Sequence, residues 1–133
     1  METLSGPERE AWVEISSDER WLVRFYRQRF EVMPSSGGDW KALASSNFIQ
    51  FAVTPDGTWL YYHGADREGR HRLFRVAIGG GPPEQMGDFP DKGGIGDMQI
   101  SPDGRRVVTA SYDAEKGFEV WALENFVPVE AKR

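Results

Sequence analysis

Three aspartates, Asp18, Asp56 and Asp103, recur in one setting, 38 and then 47 residues apart. Carboxylates gathered at one place could hold a divalent cation or divide acid and base roles. Their neighbours point elsewhere. In Ser101-Pro102-Asp103-Gly104, Ser stands at the first position of a turn, Pro at the second, Asp at the third and Gly at the fourth. Those residues favour a type I turn closed by a glycine in the left-handed region. Thr54-Pro55-Asp56-Gly57 repeats the pattern, while Ser16-Ser17-Asp18-Glu19 keeps only the aspartate. Left-handed geometry at Glu19 would cost about 1 kcal/mol, so a relaxed version of the turn is expected there. Turn chemistry accounts for the three aspartates better than a metal or acid–base pair.

Other reactive groups are sparse. His63 and His71 are the only histidines, and they flank "GADREGR". A hairpin could bring them close across its base. Two ligands make a weak metal site, because zinc normally takes three or four, so a solvated cross-strand pair is expected and no metal. "RFYRQRF", from Arg24 to Phe30, is the one basic and aromatic cluster. Nucleic-acid binding would need stacking aromatics in a basic groove; a solvated hairpin tip is the simpler reading. There is no G-x-S-x-G elbow, and the glycine runs "GGGPPEQ" and "DKGGIGD" fit neither phosphate-binding motif. The expectation is no enzymatic activity and no cofactor.

Bulk properties narrow the classes further. The 133 residues suffice for one domain. With no cysteine, disulfides, thiolate metal sites and a cysteine nucleophile are excluded together. A net charge of −5 argues against a nucleic-acid partner. No apolar run approaches a membrane span. The opening "METLSGPEREAW" has no apolar core of a secretory signal, so a cytoplasmic location is expected, or a periplasmic one for a fragment of a larger secreted protein.

The elements that must carry these residues are strands. Aligned on the aspartates, each unit has an alternating strand before the turn and one after it. A polar stretch and a third strand follow: "FEVMPSSGGDW" from Phe30, "LFRVAIGGGPP" from Leu73 and "FEVWALENFVP" from Phe118. Gly37-Gly38 and Gly79-Gly80-Gly81 supply positive φ for the next hairpin, and Glu124-Asn125 replaces them in the third unit. Short fourth strands are expected near Trp40–Ala44, Glu84–Gly87 and Val127–Glu130. A period of about 40–45 residues is that of four-stranded propeller blades.

"SPDG", followed by "RWLVRF" or "TWLYYH", then "LFRV", then "GGG", resembles the repeats of TolB-like propellers and of prolyl-oligopeptidase-type propeller domains. The ending "VWALENFVP" is similar to the terminus of many bacterial propeller chains. The resemblance implies the gating type of propeller only and carries over no catalysis; a non-catalytic scaffold that binds a protein or peptide is the first function class expected. Members of the family usually have six or more blades, and three are counted here.

The expected fold is therefore all-β: a β-propeller of four-stranded antiparallel blades, three per chain, at about 11–46, 47–92 and 93–130. An open stack of three leaves two apolar end faces bare. Two chains closing one six-bladed ring would cover them, so a homodimer is expected, with "METLS" of a neighbour available as an extra edge strand. The alternative is an excised or designed part of a larger propeller serving an enzyme. The tryptophans are expected between blades, one of them facing a partner. A protein or peptide ligand is expected on the loop end, which would collect Tyr26, Arg27, Arg29, Asp66, Arg67, Arg70, His71, Tyr112, Asp113 and Lys116 with the linkers "ASSNF" and "DFPDKGGIGD". A small molecule or metal in the central channel is a third class.

Overall fold

A computed structural model describes residues 12–89, 98–113, 115 and 117–124. Lys116, Asn125, "METLS", most of "DFPDKGGIGD" and the expected strand at Val127–Glu130 lie outside them. Among the described residues every regular element is a strand. The first sheet has β1 (Trp12–Ile15), β2 (Trp21–Tyr26), β3 (Arg29–Pro34) and β4 (Lys41–Ser45). The second has β5 (Phe51–Val53), β6 (Trp59–Ala65), β7 (His71–Ala77) and β8 (Glu84–Asp88). The third has β9 (Met98–Ile100), β10 (Arg106–Asp113) and β11 (Gly117–Glu124). Each sheet is an antiparallel meander in chain order. The third has three strands among the described residues. No helix there is long and apolar enough to cross a membrane.

Successive side chains of a strand point to opposite faces, and this decides how the sheets stack. Val23 and Phe25 of β2 face one way, while Leu22 and Arg24 face the other. The first set packs on the second sheet. Val23, Phe30, Val32 and Leu43 meet Phe51, Leu60, Tyr62 and Val76 in one buried cluster. Phe30 is completely buried, with the rings of Phe25, Phe51 and Tyr62 at 5.0, 5.3 and 5.0 Å. Burial pushes the Tyr62 hydroxyl up to about 12. Intervening residues of β6 point the opposite way. Tyr61, with Leu73 and Met86, packs on Met98 and Val107 of the third sheet. The middle sheet is buried on both faces, which is why "WLYYHG" has no polar alternation.

The three aspartate turns form one hydrogen-bond network, three times over. Ser16, Thr54 and Ser101 donate through their hydroxyls to Asp18, Asp56 and Asp103 at 2.5, 2.7 and 2.6 Å. The same carboxylates accept from the backbone N–H of Arg20, Thr58 and Arg105 at 3.1, 3.0 and 3.0 Å. The hydroxyls in turn accept from the N–H of Trp21, Trp59 and Arg106. These bonds favour the ionised carboxyl. The Ser16 hydroxyl and Arg20 hold Asp18 at about 2, and Asp56 and Asp103 are lowered by their Thr54 and Ser101 hydroxyls.

The first turn is not relaxed, contrary to expectation. Glu19 has φ 61°, beside 73° at Gly57 and Gly104, and its N–H reaches Ser16 O at 2.9 Å. The Ser16–Asp18 bonds over-determine the turn and hold Glu19 left-handed. Glu19→Gly should therefore relieve this strain and raise the unfolding free energy by about 1 kcal/mol. Urea denaturation checks it; an unchanged or lower midpoint would contradict the assignment.

Candidate functional site

The strand connections fall into two groups at opposite ends of the blades. The aspartate turns cluster at one end, where Arg20 donates to Asp56 O at 3.2 Å. At the other end lie the β2–β3 tip, the β6–β7 tip and the linker from β4 to β5.

The β2–β3 tip is a two-residue loop. Tyr26 pairs with Arg29, and the residues between them, Arg27 and Gln28, have φ 53° and 62°. Left-handed geometry at both positions marks a type I′ turn, which normally takes Asn and Gly. The tip leans on the linker, where Ser46 N donates to Gln28 O at 3.0 Å. The Ser46 hydroxyl donates to His63 O at 2.6 Å and accepts from Phe48 N at 3.0 Å. Between tip and linker opens a cleft of about 450 Å³ lined by Arg27, Gln28, Arg29, Ser45–Phe48 and Ala65.

Inward of the cleft the histidines meet. His63 Nε2 lies 2.7 Å from His71 Nδ1, and His63 Nδ1 lies 3.1 Å from Gln50 Oε1. Gln50 Oε1 can only accept, so His63 donates through Nδ1 and accepts the His71 Nδ1–H at Nε2. The His63 ring stacks on Phe48 at 3.9 Å and on Phe89 at 4.0 Å. The expected solvated pair is thus corrected: His63 is buried, because β6 lies inside the stack. No group of three or more potential metal ligands occurs among the described residues.

Other residues of the expected face are distributed unevenly. Tyr26 carries the guanidinium groups of Arg24 and Arg27 over its ring at 4.6 and 5.1 Å. Arg24 is buried, bound to Glu31 at 2.7 Å and stacked on Trp40 at 4.3 Å, so "RFYRQRF" is more than a solvated tip. Asp66 and Arg70, expected as ligand groups, are consumed by their own turn. Asp66 accepts from the N–H of Glu68 and Arg70 and from the side chains of Arg70 and Arg72. Burial opposes its charge, but the Arg70 N–H and the Arg72 and Arg70 guanidinium groups hold its carboxyl at about 2. The Asp66 carboxylate raises Arg70 in return. Arg72 also pairs with Asp88. Arg67 is exposed at the tip. Asp113 closes the β10–β11 hairpin opposite Gly117, and Tyr112 pairs with Phe118. Trp21 and Trp59 pack against the two cores.

Gln28, Gln50 and Ala65 were not expected at this end. The two-residue loop follows from the register of Tyr26 with Arg29, and Arg-Gln lacks the Asn-Gly signal that would have revealed it. A second cleft, of about 210 Å³, runs along the first strands β1, β5 and β9, with Glu14, Ser16, Ser17 and Gln99 as its polar lining.

Burial, and then the charge of His71, hold His63 down at about 3. The unfolded chain binds that proton from about pH 6.5 downward. His63 should therefore leave stability untouched above pH 6.5 and cost on the order of 3 kcal/mol by pH 4. His63→Phe keeps the stack and removes the titration, so its stability should vary less over this interval. Urea midpoints across pH check it, and equal slopes would refute it.

No family model and no curated protein matches the chain. Solved structures do. A putative TolB from Agrobacterium tumefaciens aligns at 14% identity and TM-score 0.61, over 84% of this chain and 41% of that one. TolB from Acinetobacter baumannii aligns at 15% and 0.63, over 86% of this chain and 30% of that one. A eukaryotic initiation factor aligns at 14% and 0.62, over 86% and 31%. The chain thus spans less than half the length of these neighbours. Antiparallel sheets stacked face to face, with these neighbours, give the chain a TolB-like propeller-type fold.

Proposed function

We propose that the chain is a non-catalytic scaffold, two copies of which join head to tail into a six-bladed ring whose loop end binds a protein or peptide. One observation carries the assembly. Among the described residues, the exposed large apolar side chains are Val13, Ile15, Ile49, Val108 and Val120. Four of the five lie on the two end faces of the stack. Val13 and Ile15 sit opposite Arg24 and Leu22, on the face of the first sheet turned away from the second. Val108 and Val120 share the face of the third sheet opposite the buried Val107. Half-buried Trp40 stacks on Arg24 of the first end face, as a tryptophan meeting a partner would.

A second copy is the occupant that fits. Each seam inside the chain joins the trailing face of one blade to the leading face of the next. The bare faces are one of each kind. Apolar patches of this sort mark association sites, and a closed ring covers both. The absence of a G-x-S-x-G elbow supports the non-catalytic reading. Turnover of a peptide or ester substrate, lost on a single substitution, would overturn it.

A second reading rests on length. The solved neighbours are more than twice as long, so the missing blades could come from the same longer chain, with the propeller serving a catalytic domain. Solution mass separates the two. The ring requires a species of twice the chain mass by light scattering at micromolar concentration. Ile15→Glu and Val120→Glu should each give monomer. Mixing the two variants should recover part of the dimer, because one of its seams is then wild type. A folded wild-type monomer would defeat the ring.

A further inference from the structure

We propose that the cleft between the β2–β3 tip and the Ser45–Phe48 linker binds an acidic peptide segment, with its carboxylates on Arg27 and Arg29. This rests on reading the loop end as a peptide-binding face, and it names the partner's chemistry.

Charge is the first argument. The chain carries −5 overall, yet no carboxylate lines the cleft. The acids adjoining its lining residues on β3 and β6 are committed. Glu31 is buried and already bound to Arg24 at 2.7 Å, with Arg29 more distant at 3.5 Å. Asp66, beside Ala65, is held by Arg70 and Arg72. Arg24 and Arg29 share the single carboxylate of Glu31, so with Arg27 the mouth carries a net positive charge. Arg29 retains 45% of its side-chain exposure. Guanidinium groups are suited to carboxylates because their forked donors match the two oxygens.

Strain is the second. Two consecutive residues with long side chains, Arg27 and Gln28, occupy the left-handed region at the tip, which is unfavourable for both. Arg27 gains an exposed contact over Tyr26 at 5.1 Å, and the Gln28 carbonyl accepts the Ser46 N–H at 3.0 Å; these contacts offset part of the strain. Strained backbone of this kind concentrates at ligand-binding positions. A glycine would relax the turn but remove the cation from the cleft.

Nucleic acid is the weaker candidate. Bases need aromatic faces to stack on, and the nearby rings are engaged: Tyr26 by two arginines, Phe48 by His63. Ser45 and Asn47 supply polar groups for a peptide backbone instead.

The test is fluorescence anisotropy with a short labelled Glu-rich peptide, a Gly-Ser peptide, a Lys-rich peptide and single-stranded oligothymidine. Each is titrated into the full chain and into Arg27→Gly and Glu19→Gly variants, with thermal midpoints and solution mass from the same samples. Only the Glu-rich peptide should bind well. Arg27→Gly should weaken it about tenfold while raising the thermal midpoint. Glu19→Gly, at the opposite end of the blade, should raise the midpoint and leave affinity unchanged. Unchanged affinity in Arg27→Gly, or a lowered midpoint, overturns the proposal. Equal Arg27-dependent binding of the Gly-Ser or Lys-rich peptide leaves the peptide face standing and overturns its acidic character. Tighter oligothymidine binding overturns it too, and failure of every peptide overturns both readings. Because the cleft lies within one chain, the mass decides the ring separately.

Discussion

The packing of one sheet face on the next is the constraint from which the rest follows. Phe30 lies at its centre, between β2 of its own sheet and Phe51 and Tyr62 of the neighbour. A completely buried phenylalanine contributes several kcal/mol through removal of apolar area and through ring contacts. That contact fixes which residues of β2 and β6 face the seam, and the two-residue alternation then fixes all the others. It places His63 and Tyr61 on the opposite face, toward the third sheet. It also places Leu22 and Arg24 where the stack ends.

Much of the architecture was legible because it depends on short-range rules. The Thr54–Gly57 and Ser101–Gly104 turns read correctly from four residues each, since Ser or Thr, Asp and Gly satisfy one another locally. The fourth strands of the first two sheets were expected at Trp40–Ala44 and Glu84–Gly87, and β4 and β8 run from Lys41–Ser45 and Glu84–Asp88. Side-chain fates that depend on the neighbouring sheet were less visible. "YYHG" does not announce that its histidine will be stacked between Phe48 and Phe89, because those rings arrive from the two blade linkers. Glu19 misled for a related reason. Propensity disfavours it in a left-handed site, but the Ser16–Asp18 network outweighs about 1 kcal/mol of backbone strain.

At the loop end, the sequence did not show which charged groups are taken up by their own turns. Arg27 lies in the β2–β3 connection and Arg29 opens β3, and both line a cleft that the sequence did not announce. Asp66 and Arg70 look equally available in "GADREGR", yet Gly69 closes a turn whose N–H groups point at the Asp66 carboxylate. A charged residue in a tight turn is first a candidate for its own backbone. Only geometry separates it from a charge left over for a ligand.

The two ends of each blade thereby carry different burdens. At the aspartate end, hydroxyl, carboxylate and N–H groups are paired within a few residues, so little polar capacity remains to recognise anything else. At the opposite end the tips differ from blade to blade. One is a strained two-residue turn bearing cations, and another is a longer turn closed on Asp66. Repetition fixes the first end because every blade must make the same hairpin. Divergence is tolerated at the second because tips do not enter the seams. The cleft beside Arg27 lies where the first two blades differ in the length and geometry of their tips.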